Sequence, residues 1–321
     1  MTIPSAFLAR FAADLDALAA PGERVGVAVS GGPDSLALLL LAVAARPGLV
    51  LAASVDHGLR AGSRAEAEMV ARLCQRLGVE HDILTIEWPA PPASALQEQA
   101  RDARYRALGA WARRNGLAAV ATGHHADDQA ETLVMRLVRG AGVRGLAAMR
   151  HSAPLPGCAG VTLLRPLLGW RRAELGAVVA GAGIEAADDP SNRDEQHERV
   201  RVRRLLAQSP WLDPVSLANS SAHLAAADAA IEWAVTREIA AVRSEARGLY
   251  YRPGDAPPEI RRRVAAQLVT MLASEGNGSQ LRGRELDRLL GEIDAGRTAT
   301  LRGVQASGGP EWRFRTAPAR R

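Results

Sequence analysis

Apolar and polar positions alternate in blocks along the chain. Residues 1–20 set Arg10, Asp14 and Asp16 among apolar neighbours, which reads as an amphipathic helix rather than a signal peptide. The continuous apolar run Val25–Val29 is followed by a Gly-rich turn and a helical stretch from about Ser35 to Ala45. The same alternation then repeats. Leu49–Val55 precedes a helix over Ala65–Leu77, and His81–Ile86 precedes a Pro-rich linker (Trp88–Pro92) and a long helix, Ala95–Asn115. Leu117–Thr122 precedes a helix over Asp127–Arg139, and Val161–Leu164 precedes one over Arg171–Gly181. Strands alternating with helices are βαβ units, so the expected class is α/β with a doubly wound, mostly parallel sheet. Ligands of such sheets sit at the carboxyl ends of the strands, which directs attention to the loops after each strand.

The pattern changes after about Leu206. Ser209–Pro210 and Asp213–Pro214 interrupt the chain, and a boundary near residue 215 separates residues 1–215 from a smaller, mainly helical domain, 216–321. Helices are expected over about Ser216–Ala246, Glu259–Ser274 and Arg282–Ile293, then a short β-like tail at Thr298–Val304 and Trp312–Thr316. A length of 321 residues suits one large and one smaller domain.

Composition narrows the chemistry. The longest apolar run, Leu36–Ala45, ends at Arg46–Pro47 and is too short to span a membrane; a cytoplasmic protein is expected. Cys74 and Cys158 are too few for a disulfide framework or a cysteine-only metal site. All 40 cationic residues are arginines, which excludes Schiff-base catalysis by lysine and the lysine of Walker-type phosphate loops. The net charge is +5, and residues 216–321 hold 16 Arg against 12 Asp and Glu, a lean towards a polyanionic partner.

Three loops carry most of the candidate chemistry. Ser30-Gly31-Gly32-Pro33-Asp34-Ser35 follows the first strand and opens a helix. Two glycines admit an anion to the backbone N–H groups, Ser30 and Ser35 add hydroxyls, and the helix N-terminus adds partial positive charge. Asp34 makes sense there if a divalent cation links it to phosphate; as an ordinary turn, the loop would use Asp34 as a helix cap. Asp56 and His57 end the second strand, where they could line an adenine or ribose pocket or merely satisfy a turn. After the fourth strand, Gly123-His124-His125-Ala126-Asp127-Asp128-Gln129-Ala130-Glu131-Thr132 places Asp127 and Glu131 four apart on a helix, their carboxylates directed alike. Paired acids suit a cationic substrate, Mg²⁺ or a general base. Arg139, Arg144 and Arg165 follow, then Asp188–Asn192 and Arg199, Arg201, Arg203 and Arg204. That arginine run alternates like a strand, yet on a helix Arg199 and Arg203 would share a face.

The SGGPDS loop resembles the PP-loop of the ATP-pyrophosphatase superfamily. SGGPDS, VDHGLR, GHHADDQAET, RGAGVRGL, RPLL and DDPSN together, over about residues 24–206, resemble the bacterial tRNA(Ile)-lysidine synthetase family. The resemblance implies ATP-dependent adenylation of C2 of the wobble cytidine in a tRNA(Ile) with a CAU anticodon. Free L-lysine then displaces AMP. It also implies Ser30, Gly31, Gly32, Pro33, Asp34 and Ser35 around ATP with Asp56 and His57 nearby, and Asp34 on Mg²⁺. The reaction centre would hold His124, Asp127, Asp128 and Glu131, with Asp127 and Glu131 holding the lysine ammonium or accepting its proton. Arg203 would lie closest to the chemistry, and Arg139, Arg199 and Arg201 would face tRNA phosphate. The family's RNRIR-like run here has Val200 where Asn is expected. The length resembles the short form of the family, and the resemblance implies one helical domain as a tRNA-binding appendage, as a monomer or a homodimer. The alternatives are a PP-loop tRNA sulfurtransferase, disfavoured by the two lone cysteines, and a nucleotide-binding sensor without turnover.

Overall fold

The computed structural model describes residues 3–58, 62–88, 96–187, 198–273, 281 and 283–317. The DDPSN segment, the LR of VDHGLR and part of the Pro-rich linker lie outside these residues. Two compact units divide between Ala225 and Ala226. Among the described residues no helix is long and apolar enough to cross a membrane.

The first unit is built on a six-stranded sheet of order β3-β2-β1-β4-β6-β5. Its strands are β1 (Val25–Ala28), β2 (Val50–Asp56), β3 (Glu80–Thr85), β4 (Ala119–Ala121), β5 (Ser152–Pro154) and β6 (Thr162–Leu164). All pairings are parallel except β5 with β6. β5 was not legible in the sequence, being three residues long and ending in Pro154 at the sheet edge, where a missing N–H is tolerated. The helices are α1 (Ser5–Asp16), α2 (Pro33–Ala45), α3 (Ser63–Leu77), α4 (Leu96–Arg114), α5 (Ala126–Val138), the short α6 (Val143–Leu146), α7 (Arg172–Gly181) and α8 (Glu198–Ala207).

α2 is buried on every side: Leu36, Leu38, Leu39, Leu40 and Leu41 have no exposed surface. That explains why its sequence is apolar all round rather than striped. It packs against α1, α7 and the sheet, with Phe11, Leu15, Val27 and Trp170 in the same core. Trp170 meets Phe7 and Phe11 edge-on, lies under the Arg10 guanidinium at 4.4 Å and donates its indole N–H to Asp14 at 2.8 Å. On the other sheet face Trp111 packs against β1, where a Cβ at Gly26 would stand 2.7 Å from its ring. That glycine makes room for the tryptophan.

Asp213–Pro214 opens a helix, α9 (Pro214–Ala240). Asp213 Oδ2 accepts hydrogen bonds from the N–H and hydroxyl of Ser216, both at 2.9 Å, and Pro214 sits in the first turn where no N–H is needed.

The second unit, expected to be mainly helical with a β tail, carries a five-stranded antiparallel sheet as well as its helices. The strands are β7 (Arg243–Glu245), β8 (Gly248–Tyr251), β9 (Thr298–Leu301), β10 (Val304–Ser307) and β11 (Trp312–Thr316), in the order β7-β8-β11-β10-β9. The helix expected to reach Ala246 ends at Ala240, and the β7–β8 hairpin takes the rest. Gly248 fits that hairpin against β11: φ is +137°, and a Cβ there would sit 2.2 Å from the Phe314 carbonyl oxygen. α10 (Pro258–Leu272) and α11 (Gly283–Asp294) cover one sheet face through Val264, Leu268, Leu286 and Ile293, against Trp312 and Phe314. Arg263 is buried in this unit between Asp228 (2.7 Å), Glu232 (2.5 Å) and Glu259 (2.7 Å).

Leu38→Ala removes a fully buried side chain whose surroundings are helical and close-packed. It is expected to lower unfolding free energy by about 3 kcal/mol in a urea titration.

Candidate active site

The strand order places the site. β1 lies between β2 and β4, and the chain reverses its direction of sheet growth between β1 and β4, which leaves a crevice at their carboxyl ends. The PP-loop leaves β1 there and the His124–His125 loop leaves β4 beside it. The two loops touch: a Cβ at Gly123 would stand 2.9 Å from the Asp34 carbonyl oxygen. Within the PP-loop Gly31 has φ of +90°, and Gly32 caps α2 with Pro33 in its first turn. Ser35 Oγ accepts from the Ser30 N–H (3.1 Å) and lies 3.1 Å from the Ser30 hydroxyl; it donates to the Gly32 carbonyl at 2.9 Å. Ser35 thus ties the loop shut, while Ser30 remains exposed at its mouth.

His125, which the sequence reading passed over, joins the acids of both loops. Its ring is wholly buried, with Nε2 3.3 Å from Asp34 and 3.5 Å from Asp128, and Nδ1 3.4 Å from Asp127. Burial by itself would lower its pKa. The carboxylates of Asp127, Asp34 and Asp128 outweigh that and raise it to about 9, so the ring is an imidazolium at neutral pH. Burial would likewise raise Asp127, but His125 and the Arg172 backbone N–H (2.9 Å) bring it down to about 2. Burial would raise Asp128 too, but the charges of His125 and Arg199 and a hydrogen bond from the His125 backbone N–H hold it below its ordinary value.

Three carboxylates around one imidazolium leave excess negative charge at the PP-loop. Asp34 Oδ1 is buried and has no hydrogen-bond partner among the described residues. An acceptor in that state beside a phosphate loop fits Mg²⁺, which takes one or two carboxylates and completes its shell with water and substrate phosphates. Among the described residues no group of three or more His, Cys, Asp or Glu could hold a metal by itself.

Glu131 does not share the environment of Asp127. It is 1% exposed and ion-paired with Arg203 at 2.7 Å and Arg199 at 3.0 Å, with Arg172 at 3.9 Å. Burial alone would lower the Arg203 pKa, but the hydrogen bond and charge of Glu131 raise it. The expectation that Glu131 receives a lysine ammonium meets a carboxylate already saturated by guanidiniums. The arginine run is helical, so Arg199 and Arg203 face Glu131 together, and Arg199 also donates to Thr132 Oγ1 at 3.2 Å. Arg201 and Val200 lie elsewhere on α8, lining a surface depression of about 300 Å³ with Arg204 and Leu205. Arg139 pairs with Glu198 at the surface. Asp56 is engaged by its own loop: its Oδ1 accepts from the Gly58 N–H at 3.0 Å and the Ser63 hydroxyl at 2.5 Å. The His57 carbonyl accepts from the Trp88 indole at 2.6 Å.

His124 faces a different group. Its Nδ1 lies 2.9 Å from Thr122 Oγ1. Burial, assisted by the charges of Arg165, Arg104 and Arg101 and opposed by Asp128, lowers its pKa to about 3, so this ring is neutral. Arg104 and Arg165 are themselves lowered by burial, and among the described residues neither forms an ion pair with a carboxylate. Arg165 donates to the Arg150 carbonyl at 2.8 Å, and the Arg101 and Arg104 guanidiniums lie over the Tyr105 ring. Arginines this poorly neutralised form an anion-seeking wall. Arg101 and Arg104 were missed because one turn of an otherwise ordinary basic helix carries no motif that stands out.

A family model described as a PP-loop domain (ATP_bind_3) matches residues 7–209. The tRNA(Ile)-lysidine synthase of Novosphingobium aromaticivorans is 50% identical over 313 residues, 97% of this chain and 94% of that protein. This chain belongs to the tRNA(Ile)-lysidine synthase family. The Zymomonas mobilis member is 41% identical over 93% of this chain and 90% of its own length. It is therefore an enzyme of the ATP-using PP-loop class. Among solved structures, the U34-tRNA thiolase NcsA of Methanococcus maripaludis shares the fold, with a TM-score of 0.57 at 18% identity over 68% of this chain and 80% of that one.

His125 holds its proton more tightly when folded, so its contribution to stability is complete below about pH 6.5 and is lost as pH rises through about 9. The gap in unfolding free energy between the parent and His125→Asn should therefore shrink on going from about pH 6 to about pH 9.5. The expected change is on the order of 3 kcal/mol, read from denaturant titrations at each pH.

Proposed function

We propose that this enzyme ligates L-lysine to C2 of the wobble cytidine in a tRNA(Ile) with a CAU anticodon, in the cytoplasm. ATP activates the cytidine and pyrophosphate leaves; the ε-amine of lysine then attacks C2 and AMP leaves, giving lysidine. The observation that carries this reading is the PP-loop opening directly onto the His125-held carboxylates. A triphosphate and an ammonium-bearing nucleophile then have adjoining sites of opposite preference.

In this reading the backbone N–H groups of Gly31 and Gly32, the Ser30 hydroxyl and the N-terminus of α2 take the phosphates. Asp34 would hold Mg²⁺, which supplies charge compensation for the triphosphate. Asp127, partly exposed and ionised at any working pH, is the acid we assign to the lysine ammonium, with Asp128 beside it. The amine must shed a proton before attack, and a carboxylate at that position or the departing phosphate takes it. Glu131 is assigned to orient Arg203 and Arg199 towards phosphate. The neutral His124 and the wall formed by Arg101, Arg104 and Arg165 suit the cytidine nucleotide. A sulfur-transfer reaction is poorly supported: Cys158 is buried, and burial pushes the Cys74 thiol up to about 12.

The test is incorporation of labelled lysine into tRNA(Ile) transcripts with ATP and Mg²⁺. Transfer should vanish when the wobble cytidine is replaced; ATP turnover without lysine transfer would refute the reading. Asp34→Ala should abolish pyrophosphate release. Asp127→Ala should release pyrophosphate on tRNA yet raise the lysine KM at least tenfold, whereas an unchanged lysine KM would remove Asp127 from that role.

A further inference from the structure

The acids and the arginines of the crevice come from different segments of the first unit, and one side chain ties the two together. Gln129 follows Asp127 and Asp128 directly on α5 and is 4% exposed. Its Nε2 donates to the Met149 carbonyl and its Oε1 accepts from the Met149 N–H, both at 2.8 Å. A primary amide placed so offers the backbone the donor and acceptor that a neighbouring strand would offer. The next two residues hold Arg165. The Arg150 carbonyl accepts from Arg165 Nη1, and the His151 carbonyl accepts from the Arg165 backbone N–H, each at 2.8 Å. From the acids to Arg165 the route is therefore one amide and three residues of backbone.

The bend that leads into Met149 does not hold itself. Ala148 has φ of +49°, a left-handed conformation that an L side chain adopts reluctantly. Arg136, also on α5, donates Nη1 to the carbonyls of Gly145 at 2.6 Å and Ala148 at 3.2 Å. Two side chains of one helix thus fix a strained turn whose continuation carries Arg165. Arg165 is itself 6% exposed, and its Nε is buried without a hydrogen-bond partner among the described residues. With no carboxylate to direct it, its aim depends on the backbone to which it is tied.

We propose that Gln129 is a positioning residue that sets the distance between lysine and cytidine in the crevice, acting through Met149 and Arg165. The inference rests on the function proposed above, which puts the ammonium at Asp127 and the nucleotide at the arginine wall. Attack of the amine on C2 requires near contact, and a misplacement of about 1 Å slows such a step on the order of a hundredfold. An adenylated cytidine kept waiting is open to water. Water then takes the place of the amine, AMP leaves and the cytidine is returned, so ATP is cleaved to AMP and pyrophosphate without lysidine.

The experiment counts pyrophosphate and lysidine together, with the full chain, tRNA(Ile) transcript, ATP, Mg²⁺ and saturating labelled lysine. The parent should form the two in equal amounts. Gln129→Met keeps the volume and removes both hydrogen bonds. It should release about threefold more pyrophosphate than lysidine, with the KM values for lysine and ATP within about twofold of the parent. Loss of folded enzyme scales both products alike, so the ratio separates positioning from stability. Arg165→Gln should show a similar excess, and adding Gln129→Met to it should change the ratio by less than about twofold, because the two act in series. Gln129→Glu still accepts from the Met149 N–H, should fall between parent and Gln129→Met, and serves if the latter does not fold. Equal amounts of the two products in the Gln129 variants overturn the proposal, as do effects of Gln129→Met and Arg165→Gln that multiply. A parent that forms no lysidine refutes the reaction and the inference with it; coupled products in parent and Gln129 variants alike refute the positioning role alone.

Discussion

A single buried imidazolium holds the two loops at the mouth of the crevice together. Asp34 comes from the loop after β1 and Asp127 and Asp128 from the loop after β4, and like charges so close would drive the loops apart. His125 stands between them with both ring nitrogens engaged, converting repulsion into cohesion. The arrangement is only possible because β1 and β4 are neighbours and Gly123 lets the backbones meet. The sheet order, the glycine and the histidine are therefore one device, and the phosphate loop gains an acidic flank as a result.

The two histidines of the GHH sequence illustrate how position overrides residue type. They are adjacent in the chain, yet one is charged and the other neutral. His125 points among carboxylates, whereas His124 points among arginines, and each environment fixes the opposite protonation state. The crevice is consequently divided into an anionic half and a cationic half, with the imidazole pair at the seam. A substrate that brings phosphate at one end and an amine at the other would be oriented by that division alone.

Much of this was legible in the sequence. The βαβ alternation, the PP-loop and the acidic cluster all follow from apolar runs punctuated by glycine and acid. The partners of Glu131 were hidden, because i, i+4 spacing places two carboxylates on one helix face but says nothing of what docks there. Once α8 is helical, Arg199 and Arg203 reach Glu131 and the pairing with Asp127 dissolves. His125 was passed over for a related reason: a ring flanked by acids looks like a helix cap until the first loop brings Asp34. In the second unit, strands of three to five residues could not outweigh the helical pattern around them, so only the tail was read as β.

α2 and α8 are anchored in contrasting ways. α2 is locked by leucines on all sides, and α8 has no buried residue; Arg199 and Arg203 fasten it to α5 through one carboxylate. An apolar anchor has no substitute partner, but a guanidinium accepts a phosphate as readily as a carboxylate. Docking of α8 is thus an exchangeable bond, one for which an arriving phosphate competes with Glu131, while the leucine-locked α2 behind the phosphate loop stays fixed.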